Sequence, residues 1–164
     1  MLENPLVLTI LDFIHQMATI AWIGGMVFNL LAVLPTVSKV LEPAQAGKFM
    51  SALMKRVRVI VYVSLLVLFV TGIPMKIASE YYVAIINFDT IWETASFVKH
   101  VLVAILALLA LYSFELLAPR VGRLASKGSS AELIQLRARQ KKLAAASFLL
   151  GITIVFISVM LKYL

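Results

Sequence analysis

The chain contains no cysteine. Disulfides, thiolate metal sites, iron–sulfur clusters and covalent c-type haem attachment are thereby excluded. Charge is scarce as well. Asp, Glu, Lys and Arg make up 14% of the 164 residues, against about 25% in an ordinary soluble domain. Apolar residues fill the difference, at 62% where about 45–50% is usual. A chain of this length makes one domain. A single soluble domain has no core large enough for that excess, so lipid is the expected sink.

Four stretches reach the roughly 20 apolar residues that a spanning helix needs. They cover about residues 6–34, ending at Pro35; about 57–78; about 94–117, ending before Pro119; and about 143–164. The pattern predicts an all-α integral membrane four-helix bundle in one transmembrane domain. A cleaved signal peptide does not suit the first stretch. It lacks a basic start, it is too long, and Pro35-Thr36-Val37 is no small-residue cleavage site.

The formal net charge of +7 is unevenly placed. Twelve of the fifteen basic residues fall in two loops: Lys39, Lys48, Lys55, Arg56 and Arg58 in one, and Arg120, Arg123, Lys127, Arg137, Arg139, Lys141 and Lys142 in the other. Glu3, Glu80, Asp89 and Glu93 lie on the opposite side. Positive loops stay in the cytoplasm, so both termini are expected outside, in the cell membrane. Tyr81, Tyr82 and Trp92 fall at the outer interface, as aromatic belts do. Both loops are amphipathic, with Leu133, Leu136 and Leu143 among Arg137, Arg139, Lys141 and Lys142. They read as helix extensions touching anionic head groups. The lipid bilayer, not nucleic acid, is the partner the charge implies.

The halves resemble each other at an offset of 84 residues. Pro35-Thr36-Val37-Ser38-Lys39 aligns with Pro119-Arg120-Val121-Gly122-Arg123. Two repeated hairpins would be related by an axis along the membrane normal. The same offset carries His15 onto Lys99, beside His100.

Ionisable residues inside a span are costly, so each one is a candidate site. Here they are Asp12, His15, Lys76, Lys99, His100 and Glu115. Glu115 lies close enough to the basic end to reach the interface. The other five share the outer part of three helices. Asp12, His15, Thr19, Trp22, Met26 and Asn29 follow steps of three and four and share one face, expected to point inward. His100 shares a face with the small residues Ala104 and Ala107 and with Leu111, which suits close helix approach or a bulky guest. Lys99 stands about 100° away around the axis. Gly72, one turn from Lys76, leaves room beside it.

Two neutral imidazoles on facing helices suit haem b, ligating iron from both sides. Lys76 and Lys99 would pair with the propionates, Asp12 would accept the second ring proton of His15, and Trp22, on the His15 face, is a further candidate cofactor contact. Copper is the competing reading, with His15, His100 and Met17 or Met26 mixing imidazole with thioether. A proton or ion path is a third, but no polar residues of comparable strength continue it down the bundle.

The run His15-Gln16-Met17-Ala18-Thr19-Ile20-Ala21-Trp22-Ile23-Gly24-Gly25 resembles the "His, apolar run, Trp-x-Gly-Gly" segment of CopD-like membrane proteins. HemJ-type protoporphyrinogen oxidases carry a related helix. Phe97-Val98-Lys99-His100-Val101-Leu102-Val103 resembles their lysine-bearing helix, and Val70-Thr71-Gly72 matches a common Thr-Gly pair. Phe97 stands where HemJ-type proteins tend to have a histidine. The resemblance implies haem b or copper, with His15 and Lys99 as the matching positions. The expectation is therefore a b-type haem protein carrying out electron transfer with a quinone or a small oxidant or reductant near the outer face. Copper binding or transport and protoporphyrinogen IX oxidation are the alternatives. His15 is the first axial ligand, His100 the second, and Lys99 the alternative. No catalytic residue is identified, and the sequence leaves the oligomeric state open.

Overall fold

The computed structural model describes residues 4–82, 88–126, 128 and 130–164. Glu3 and Lys127, two members of the charge pattern, lie outside the described residues. Four helices long and apolar enough to cross a membrane make up the fold: Pro5–Val40, Ala44–Ile77, Ile91–Ala125 and Ala131–Met160. The protein is an all-α, multi-pass membrane four-helix bundle. Its large apolar side chains point outward. Phe13, Phe28, Phe69, Leu108 and Phe156 are each 65–67% exposed, a surface that water would not tolerate over so wide an area.

The helix starts follow local chemistry. The Asn4 side chain accepts from the Leu6 backbone N–H at 2.9 Å, with Pro5 in the first helical turn. Thr90 and Glu93 form a reciprocal capping box at the start of the third helix. The Ser130 hydroxyl accepts from the Leu133 N–H. Before it, Gly128 takes φ +103°, a conformation that side-chain-bearing residues rarely adopt.

The helices overrun the apolar segments read from sequence. At 1.5 Å per residue, the 36-residue first helix is about 54 Å long, well beyond a hydrocarbon core of roughly 30 Å. The second helix begins at Pro43 rather than near Val57. The fourth begins at Ala131 rather than Leu143 and closes at Met160. Both basic segments are therefore largely helical extensions, as the amphipathic pattern suggests.

The expectation that Pro35 and Pro119 end their helices is not met. Proline lacks an N–H and its ring collides with the carbonyl four residues back. Here a π turn at Asn29–Val33 precedes Leu34-Pro35, and another at Tyr112–Leu117 precedes Ala118-Pro119. The wider turn takes up the mismatch and the helices run on to Val40 and Ala125. The last residues of the two π turns, Val33 and Leu117, stand 84 positions apart, the offset of the prolines themselves.

Packing is closest within each hairpin, first helix on second and third on fourth. The hairpins join around one buried residue from each helix: Trp22, Val61, Leu106 and Ile154. A further π turn, Ile20–Gly24, carries Trp22 and packs on the fourth helix. A Cβ at Gly151 would come within 3.0 Å of Ile23 Cδ1 and Met26 Cε, so helix approach depends there on the missing side chain. We expect Gly151→Leu to destabilise the bundle by about 1–3 kcal/mol through overpacking. Gly151→Ala, which meets only flexible side-chain ends, should cost less. Thermal unfolding of the two variants in the same detergent checks the order.

Candidate functional site

The apolar core reaches up to Trp22, Leu68 and Leu102. Beyond that level lie His15, Thr71, Lys76, Lys99 and His100, placed by the first three helices. His15 lies in the electrostatic field of Lys99, Asp12 and His100, and Lys76 acts on both Lys99 and His100. The five groups singled out in the sequence thus form one neighbourhood.

The geometry around His15 is specific. Its Nδ1 lies 2.8 Å from Thr71 Oγ1 on the second helix. That hydroxyl donates its single proton to the Val67 carbonyl at 2.7 Å. Thr71 can therefore only accept from the imidazole, so Nδ1 carries the hydrogen and Nε2 keeps its lone pair. Gly72 makes the approach possible, since a Cβ there would meet His15 Cε1 at 3.3 Å. The room expected beside Gly72 is filled by the histidine ring.

His100 arrives at the same tautomer by another route. Its Nδ1 lies 2.6 Å from the Ser96 carbonyl, one turn back on the third helix. A carbonyl has no proton to give, so Nδ1–H donates and Nε2 is again left with its lone pair. His15 is half-buried. His100 keeps more of its surface uncovered, on a flank of the third helix where Ala104 and Leu111 are also exposed.

Three expectations are corrected. Asp12 does not hold the second ring proton of His15. Thr71 does, while Asp12 accepts from Gln16 Nε2 at 3.2 Å. Trp22 does not sit beside the histidines but two turns further in, 5% exposed, as part of the apolar core. The thioethers do not join the imidazoles: Met17 is 49% exposed, and Met26 lies against Gly151 of the fourth helix. Among the described residues no group of three or more His, Cys, Asp or Glu side chains is placed to hold a metal ion.

Other polar groups were not legible from sequence. Glu93 is 5% exposed. Its Oε2 completes the capping box, while Oε1 is buried without a hydrogen-bond partner among the described residues. Asn29, on the His15 face, also keeps a buried, unpartnered Oδ1. At the basic end, Glu115 does not simply reach for the interface. It accepts from Tyr62 Oη at 2.6 Å and from Arg58 Nη1 at 3.4 Å, tying the third helix to the second. A span glutamate 53 residues from its tyrosine carries no periodic signal by which sequence could pair them. Tyr81 and Trp92, expected as belt residues, pack together with ring centroids 5.6 Å apart.

Fold and polar cluster together define a small multi-pass membrane bundle with an imidazole-bearing site at the end away from its basic extensions. Over residues 17–130 the chain matches the family described as a domain of unknown function, DUF4149. It belongs to that family. No curated protein and no solved structure matches it.

Replacing Thr71 by Val removes the acceptor for the His15 N–H. Leaving a buried donor unpaired costs about 1–3 kcal/mol. We expect Thr71→Val to lower the unfolding midpoint in detergent and Thr71→Ser to restore most of it. Equal stability of Val and wild type would show that the His15–Thr71 bond contributes nothing.

Proposed function

We propose that the protein is a membrane b-type haem protein, with His15 and His100 as axial ligands, that carries electrons to or from a quinone or a small oxidant at the outer face. The observation that carries this reading is the shared tautomer. Each imidazole has its Nδ1–H engaged by an oxygen of the protein, which in the neutral ring leaves the Nε2 lone pair for a ligand. An oxygen behind a ligating histidine orients the ring and raises its basicity, which is the role left to Thr71 and to the Ser96 carbonyl. Bound haem would supply a one-electron iron couple.

The remaining roles fall to the chain itself. Lys99 and Lys76 supply positive charge for two carboxylates at the polar end. The strip of His100, Ala104 and Ala107 offers a flat, small-residue wall. Trp22 and Leu102 close the site off from the apolar core below. The resemblance of the first and third helices to CopD-like and HemJ-type proteins supports the same reading. In it, Thr71-Gly72 is the pair that seats the proximal histidine.

The bundle would lie with its basic extensions in the cytoplasm and both termini outside, in the cell membrane, as the excess of Lys and Arg at one end favours. The absence of native cysteine allows a clean check. Glu80→Cys should react with a membrane-impermeant maleimide on intact cells, and Ser126→Cys only after permeabilisation. The reverse pattern would overturn the orientation.

The cofactor reading is tested by one spectrum. Purified protein should show a Soret band and a sharp reduced α-band, and His15→Ala should abolish both. Gly72→Leu, which pushes the ring aside without removing it, should lower haem occupancy. Colourless protein carrying stoichiometric copper would replace the haem proposal with the copper one. A pigment indifferent to His15→Ala would remove His15 as the ligand.

A further inference from the structure

At the end opposite the histidines, the third helix passes from apolar residues through Leu116 and Leu117 to Arg120 and Arg123. A cavity of ≈ 420 Å³ elsewhere is framed by Phe88 to Val98 and the end of the fourth helix. The one of interest is smaller, ≈ 270 Å³, and lies where the third helix changes from apolar to basic residues. Its walls include Leu116 and Leu136, and Arg120 and Arg123 stand at its polar side together with Tyr112 and Glu115.

We propose that this hollow binds the phosphodiester head group of an anionic membrane lipid. Three observations carry the proposal. First, the cavity runs from Leu117, 2% exposed, to Leu116, 60% exposed, so it opens on the outer surface of the bundle, where lipid would lie. An occupant entering there has a hydrocarbon part to leave against leucine. Second, the single acid in the wall is already engaged, because Glu115 accepts from both Tyr62 and Arg58. The guanidinium groups of Arg120 and Arg123 are left as the dominant charge. Third, a second helix adds cationic character, since the Arg139 guanidinium sits 5.2 Å above the Tyr112 ring. Guanidinium forks match phosphate oxygens in geometry as well as charge, and basic pockets between spanning helices are where anionic head groups lodge. The site is independent of whatever the histidines bind.

The test is native mass spectrometry of the full chain in mild detergent, titrated with phosphatidylglycerol or phosphatidylcholine of identical acyl chains. The wild type should retain one phosphatidylglycerol in clear preference to phosphatidylcholine. Arg120→Gln/Arg123→Gln should weaken that retention roughly thirty-fold, the loss expected for two basic residues at a charged surface. Arg137→Gln, outside the cavity wall, should leave it within about twofold. If the double variant loses helical circular dichroism, the single variants carry the test, each with an expected loss of about fivefold. Equal retention of the two lipids, or single variants that bind like wild type, overturns the proposal. Displacement of phosphatidylglycerol by millimolar inorganic phosphate would mark a free-anion site instead and overturn it equally.

Discussion

Inside hydrocarbon a peptide N–H or C=O has no water to bond, so each must find a partner within the chain. That constraint shapes this protein more than any side-chain contact. It makes the spans helical. It also governs the response to proline. At Pro35 and Pro119 the chain widens for a turn and continues, because stopping there would leave carbonyls unpaired close to the bilayer. The same device, 84 residues apart in both hairpins, shows one physical problem solved identically in each half.

With the backbone satisfied, lipid gives no hydrophobic reason for helices to associate, since its tails are as apolar as leucine. Close packing and polar contacts must hold the bundle together. Gly151 lets the fourth helix meet Ile23 and Met26, and Trp22, Val61, Leu106 and Ile154 interlock below. The polar contacts join helices at both ends. His15 to Thr71 ties the first helix to the second, and Tyr62 and Arg58 to Glu115 tie the second to the third. These groups serve packing as much as chemistry. An imidazole that donates through Nδ1 to another helix, as His15 does to Thr71, is a strut, and in the neutral ring its Nε2 keeps the lone pair.

The molecule therefore divides by depth. One end carries imidazole and ammonium groups around an exposed, small-residue flank of the third helix. The middle is apolar and interlocked. The far end carries the guanidinium groups of Arg120 and Arg123 beside the smaller cavity. The haem reading belongs to the first end and the lipid reading to the last, and the apolar middle keeps their charges apart.

Much of this was legible in the amino-acid order. Composition and run length determine a four-helix membrane protein, because apolar excess on this scale has only lipid to enter. The placement of the ionisable residues brings out Asp12, His15, Lys76, Lys99 and His100 as one group, because helical rise converts position into depth. Rotation about the helix axis and partner choice across helices are another matter. Periodicity pointed to Asp12 as the partner of His15 because it is near in sequence. The structure chose Thr71, 56 residues away, because only interhelical packing decides which hydroxyl faces the ring. Trp22 shares the polar face of the first helix, yet depth and the π turn set it in the core. Proline read as a stop, since sequence carries no sign of a π turn. Sequence determined which groups exist and how deep they lie. Tertiary structure decided which of them touch, because side-chain bonds between helices depend on rotation and close approach that one helix alone does not specify.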